Sequence, residues 1–321
     1  MNPPWWKEIG RHPVAAGFLG LAFLLLSTRM PLLMPLQFFL PLPFLLAGGR
    51  HELRRAVWAL LPFGVGASLL DGNLLYPAIM SVMFAAVPLA FGISLRNGWP
   101  VTLGWSLLFA GGGVLLLGII LGSMLFGLDL QAALQASMEP VRDHLLADMQ
   151  EKAQAEALLL AQTRAFLDQM IETLSWVFPS AFLSTWFLIQ SGNLWMARNV
   201  LERTGQDVPK GEGLSDFRVP FFLVWAVIAF GVLAMVTQGS GRFLGVNMLL
   251  FLTMPYFFQG LAIIQSLFLR YTLHPFLRGL FYALLIVRLE LNLILILLGL
   301  FDTWLDVRKY FNRADADPPG R

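Results

Sequence analysis

Long apolar runs recur along this chain, separated by short stretches that hold most of its Lys, Arg, Asp and Glu. A helix needs about 20 predominantly apolar residues to cross a hydrocarbon core. The pattern predicts spans over 14–25, 32–47, 56–70, 75–95, 101–128, 174–196, 219–237 and 243–268, with a last one within 280–301. The expected fold class is all-α, a polytopic transmembrane helical bundle of eight or nine spans with an extramembrane helical insertion. The second run carries Pro35, Pro41 and Pro43. Each proline removes a backbone donor, so this span is expected to be short, kinked or partly unwound, with its freed carbonyls facing protein or water.

One polar interval breaks the pattern. From 129 to 172 the chain has eight acids against Arg142, Lys152 and Arg164, a local charge of −5. Leu145, Leu146, Met149, Leu158, Leu159, Phe166, Leu167 and Met170 recur there at helical spacing, which predicts one or two amphipathic helices outside the bilayer. The organisation that follows is a membrane region of about five spans over 1–128, an outer-face insertion over 129–172, three or four spans over 173–304 and a polar tail over 305–321.

Charge sets the orientation. With the N-terminus in the cytoplasm, twelve Lys and Arg fall inside, from Lys7 and Arg11 to Lys210, Arg270 and Arg278, and five fall outside, which satisfies the positive-inside rule. A bacterial cytoplasmic (inner) membrane, crossed many times, is the expected location. Nine crossings would leave Arg308, Lys309, Arg313 and Arg321 outside, although Asp302, Asp306, Asp315 and Asp317 dilute that signal. Alternatively 280–301 enters and returns as a hairpin broken around Arg288 and Glu290, which leaves the C-terminus inside. Both counts stay open at this level.

Composition removes whole classes of function. Of 321 residues, 57% are apolar and 13% charged, with a mean hydropathy of +0.68, whereas soluble domains carry about 25% charged residues. Lys7 and Arg11 precede an apolar run, but no small-residue cleavage site follows, so the run is read as an uncleaved first span. Cysteine is absent, and a formal charge of +2 gives no reason to expect a nucleic-acid partner. There is no G-x-x-x-x-G-K-[ST], H-E-x-x-H or G-x-S-x-G, and His12, His51, His144 and His274 are scattered. No enzyme activity, cofactor or metal centre is expected.

The candidate ligand-binding residues are polar groups inside spans, where they are costly unless paired or hydrated. Arg288, Glu290 and Asn292 lie in the last apolar segment, and Asn247, Tyr256 and Gln259 in the eighth, beside Pro255. Two readings stand for each set. Arg288 either snorkels to the headgroups or faces a pathway; the amides either line a cleft or hold helices together. Gly118 with Gly122, and Ala16 with Gly20, make small-residue faces suited to helix packing.

The segment Pro255-Tyr256-Phe257-Phe258-Gln259-Gly260-Leu261-Ala262, with Gly299-Leu300-Phe301-Asp302-Thr303-Trp304, Arg308, and Pro41-Leu42-Pro43 before Gly48-Gly49-Arg50, resembles the YybS-like bacterial membrane proteins. That group is distantly similar, over about its first six spans, to the substrate-capture (S) components of energy-coupling-factor transporters. The resemblance implies a small-molecule ligand held near the outer face beneath loops, and an energising subunit that docks on the first span. The leading expectation is a non-catalytic transporter or capture component. The alternative is a scaffold or assembly factor that binds another membrane protein through 129–172.

Overall fold

The structure is a computed structural model that describes residues 12–71, 74–153, 157–209, 215 and 217–309. Lys7, Arg11, Glu156, Lys210, Arg313, Asp315, Asp317 and Arg321 lie outside the described residues. Among the described residues the ordered elements are helical, as the apolar periodicity predicts, and none is a strand. In chain order they are α1 (Pro13–Arg29), a 3-10 helix (Pro31–Phe39), α2 (Leu42–Arg50), α3 (Leu53–Leu70), α4 (Leu75–Arg96), α5 (Val101–Leu125), α6 (Leu130–Ala153), α7 (Ala157–Arg203), α8 (Leu223–Val236), α9 (Gly239–Arg270), α10 (Pro275–Val287) and α11 (Leu289–Leu305).

The second span is irregular, as its prolines predict, changing from 3-10 to α winding along its length. A 3-10 helix with Pro35 inside it runs to Phe39, and Pro41 then opens α2. In α4 the chain widens to a π turn over Val82–Ala86, where the Val87 N–H reaches back to the Val82 carbonyl. Pro88 follows at once and has no N–H to give.

By length and composition, five helices among the described residues can cross a membrane: Pro31–Arg50, Leu53–Leu70, Leu75–Arg96, Val101–Leu125 and Gly239–Arg270. The bent pair Pro275–Leu285 and Glu290–Leu305 makes a sixth. Two further predicted spans appear as shorter apolar helices, Pro13–Arg29 and Leu223–Val236. The predicted span 174–196 lies within α7, whose Ser180, Ser184, Gln190, Ser191 and Asn193 are buried against the protein. At 47 residues α7 is about 70 Å long, more than twice a ~30 Å hydrocarbon core, so it continues out of the apolar run into the arm that begins at Ala157. The last segment breaks at Arg288, whose extended backbone turns the chain by 104°.

The chain divides into two compact units. Unit 1 comprises Met1–Phe109 and Thr185–Glu212; unit 2 comprises Ala110–Ser184 and Gly213–Arg321. In unit 1, Phe44 and Phe63 meet edge to face at 5.3 Å in a core with Ala16, Leu24 and Leu89. There α2 and α4 touch backbone to backbone: a Cβ on Gly48 would strike the Leu89 carbonyl, and one on Gly92 the Leu45 carbonyl. In unit 2, α9 and α11 approach equally closely, because a Cβ on Gly260 would strike the Leu295 carbonyl and one on Gly299 the Tyr256 carbonyl. Gly20 packs against Phe44 as the first small-residue face suggests. A Cβ on Gly118 or Gly122 would meet nothing within 4 Å, so the expected close approach there is absent among the described residues.

Candidate functional site

Asn247 sits on α9, fully buried, opposite the turn of α7 that contains Pro179. The Ser180 N–H and the Trp176 carbonyl would bond each other in a regular helix. Asn247 engages both: its Oδ1 accepts from Ser180 N–H at 3.0 Å, and its Nδ2 donates to the Trp176 carbonyl at 2.8 Å. The second Nδ2 proton goes to the Phe243 carbonyl at 2.9 Å. The side chain therefore works as a pin between two helices.

Gln259, three turns further along α9, ties two other parts of unit 2 together. Its Oε1 accepts from the Val219 N–H at 2.9 Å, and its Nε2 donates to Asp302 Oδ2, also at 2.9 Å. Val219 precedes Pro220 in an extended stretch, so no helix supplies its N–H with an acceptor. Asp302 Oδ2 also accepts from Arg308 Nη2 at 3.1 Å, and its Oδ1 from the Val307 N–H at 2.8 Å. Arg308 extends the set through Nη1 to the Ser215 carbonyl at 2.6 Å and Nη2 to the Phe217 carbonyl at 2.8 Å. Gln259, Asp302 and Arg308 are all buried. They clamp the segment before α8 onto the end of α11, and an exposed pair, Arg218 with Asp306 at 3.1 Å, lies beside them.

The remaining candidates have other surroundings. Tyr256 is 1% exposed, and its hydroxyl has no hydrogen-bond partner among the described residues. It packs with Val219, Val224, Ile296 and Leu300. Arg288 and Glu290 are exposed at the break between α10 and α11, and Asn292 is half-buried one turn on. Tyr256 and Gln259 are thus buried together, Asn247 binds a different set of partners, and Arg288 and Glu290 are at the surface. Among the described residues no three of His, Cys, Asp and Glu gather as a metal site would require.

Several residues that the sequence reading did not propose as site residues, Arg308 among them, have comparable roles. In unit 1 the Met83 carbonyl is left without a helical donor, because Val87 bonds back to Val82 and Pro88 has no N–H. Trp186 Nε1 and Gln190 Nε2 donate to it at 3.1 and 2.7 Å. The Phe38 carbonyl is freed in the same way by Pro41, and Asn193 Nδ2 donates to it at 2.6 Å. The others are Asp302 and Arg308 of the clamp in unit 2. A signal for all of them existed, namely polar side chains within or at the end of apolar runs, where they are costly unless paired.

The insertion forms two helical arms, α6 and the first part of α7. Asp129 caps α6 by accepting from the Ala132 N–H at 3.0 Å. Half-buried positions recur at Leu134, Met138, Arg142, Leu146 and Met149 on α6, and at Leu160, Thr163 and Leu167 on α7, leading to buried Ile171 and Ser175. Arg142 clips the arms together, with Nη1 to Asp168 Oδ1 at 2.7 Å and Nε to Asp143 Oδ1 at 2.9 Å. These bonds raise the guanidinium pKa, and the guanidinium holds the Asp143 carboxyl below the usual carboxylate range. Outside the seam, Val141 and Phe166, each 61% exposed, stand in the open together with Leu145, Leu158, Leu159 and Met170.

Residues 18–303 match the model of a family described as predicted membrane protein, DUF2232. The chain belongs to that family. No curated protein and no solved structure matches it. In this DUF2232 protein the match begins within α1 and ends inside α11, so it contains the amide pins, the two arms and Asp302, while Arg308 follows it.

Proposed function

We propose that this membrane protein is a non-catalytic assembly component that docks another membrane or envelope protein through the arms over 129–172. The observation that supports it is the row of exposed Val141, Leu145, Leu159, Phe166 and Met170 on helices that carry too much charge to enter a bilayer. Lipid covers apolar side chains on a span, whereas these have no such cover. The polar residues that could have lined a ligand cleft in the spans, Asn247 and Gln259, have their hydrogen-bonding groups engaged by protein. In this reading the arms face outward from a bacterial inner membrane, opposite the basic cytoplasmic loops, and the N-terminus is cytoplasmic.

Deleting 135–164 tests the reading. Membranes containing the tagged full chain and the deletion are crosslinked and purified, and their partners are compared. Loss of a specific partner from the deletion, with the melting transition of the spans retained, is the expected outcome; an unchanged partner set overturns it.

A second reading, a small-molecule capture component, draws on the YybS-like resemblance and on one observation, the buried Tyr256 hydroxyl without a partner among the described residues. Thermal stabilisation by one member of a vitamin and metal-ion panel, lost in Tyr256→Phe, would support it. No stabilisation of the wild-type chain across the panel would dismiss it.

A further inference from the structure

We propose that the partner segment received by the arms is a basic amphipathic α-helix, seated on the exposed stripes of α6 and α7, rather than a second copy of this chain or the bilayer surface. This proposal rests on the docking reading above and names the chemistry of what docks.

The stripes have helical geometry. Val141 and Leu145 are four residues apart on α6, and on α7 Leu159, Phe166 and Met170 follow at seven and four, so each set lies along one side of its helix. Both stripes run directly beside the half-buried seam that Arg142 and Asp168 hold together, since Leu134 and Met138 lie seven residues before Val141 and Leu145, and Thr163 seven before Met170, so each stripe continues the seam's apolar face into the open. A helix pair with one seam closed and further apolar stripes open is an incomplete bundle, and another helix with an apolar face completes it.

Charge then decides among occupants. The 129–172 interval carries −5, on two helices each only about 10–12 Å across, close to the Debye length of about 8 Å at physiological salt. Its field therefore reaches whatever lies on the stripes. A second copy would bring another −5 to the same place, and the anionic lipids of a bacterial membrane would be repelled as well. A helix with Lys and Arg flanking its apolar face gains both contacts and attraction.

The absence of cysteine makes a clean assay available, since a single Gln162→Cys substitution gives a unique thiol one turn from Phe166. The full chain is labelled there with an environment-sensitive dye in nanodiscs of phosphatidylcholine. It is then titrated with a synthetic Leu/Lys amphipathic helix and, separately, with its Leu/Glu counterpart. A saturable blue shift is expected with the Lys peptide alone, weakening as salt rises. Val141→Glu and Phe166→Glu should each weaken that binding by about ten-fold, the loss of an apolar anchor. Both substitutions make the arms more acidic, so attraction by charge alone would instead strengthen it.

An equal response to both peptides, or none, overturns the proposal. So does dye already shifted without peptide and quenched by brominated lipid, which identifies the bilayer as occupant. Disulfide formation between unlabelled copies of the Gln162→Cys variant overturns it too, because it identifies a second copy. If the peptides fail while deletion of 135–164 still removes a native partner, the docking reading survives and the basic-helix assignment falls. If neither responds, both fall.

Discussion

Unit 1 serves its backbone groups without helical partners by neutral side chains, whereas unit 2 adds a charged clamp to neutral pins of its own, Asn247 and Gln259. In unit 1 the Met83 and Phe38 carbonyls are taken by Gln190, Trp186 and Asn193, all uncharged. In unit 2 the Ser215 and Phe217 carbonyls are taken by the guanidinium of Arg308, which is itself held by Asp302. The uncharged pins of unit 1 lie within the apolar run 174–196, whereas Asp302 and Arg308 lie just beyond the end of 280–301. An ionised group costs most deep in hydrocarbon and least near its edge, so neutral amides suit the first place and an ion pair the second. Both devices allow a proline or an extended stretch without a lost hydrogen bond.

The comparison breaks most visibly at the charged clamp. Arg308→Ala leaves a buried carboxylate and two carbonyls short of donors and is expected to destabilise unit 2 by about 3–5 kcal/mol. Denaturant titration of the detergent-solubilised chain measures it, and a loss below about 1 kcal/mol would show the clamp to be dispensable.

Close packing comes next. Gly299→Ala places a methyl against the Tyr256 carbonyl and forces α9 and α11 apart, at an expected cost of about 1–3 kcal/mol. Gly118→Ala, with open space around it, should change the same melting curve little and serves as the control.

The neutral pins should each cost less. Asn193→Leu strands the Phe38 carbonyl at about 1–2 kcal/mol. For Gln190→Leu the informative quantity is coupling. In a Pro88→Ala background the restored N–H can serve the carbonyl that Gln190 now serves, so Gln190→Leu should cost about 0.5–1 kcal/mol less there than in the wild type. Strict additivity in that double-mutant cycle would separate the proline from the pin.

The smallest effect concerns the arms. Asp143 has a depressed pKa in the folded state, so its contribution is present above the ordinary carboxylate range and is lost as pH falls through its lowered value. Amide exchange in α6 should therefore quicken relative to the spans on acidification, and Arg142→Ala should remove that pH dependence. Equal acid sensitivity in wild type and variant would sink the assignment.

Much of this was legible in the sequence, for identifiable reasons. Periodicity and length gave the helices, of which five, or six with the bent pair, are long and apolar enough among the described residues to cross a membrane rather than the eight or nine expected. Pro35, Pro41 and Pro43 announced the irregular second span, and Arg288 with Glu290 marked the place where the last segment turns by 104°. The polar residues Asn247 and Gln259 were visible as costly groups, but their roles were not. Whether an amide in a span lines a cleft or closes a gap depends on which atoms stand about 3 Å away. Those atoms belong to Trp176, Ser180, Val219 and Asp302, between 40 and 71 residues off in sequence.

The sequence by itself determined that this chain is an all-helical membrane protein with an acidic, amphipathic helical interval, since hydropathy and charge act locally and are read residue by residue. Only the tertiary structure decided which proline-freed carbonyl meets which amide, and that Asp302 and Arg308 clamp the segment before α8. Hydrogen bonds form over about 3 Å between residues remote in the chain, and no local pattern encodes that distance.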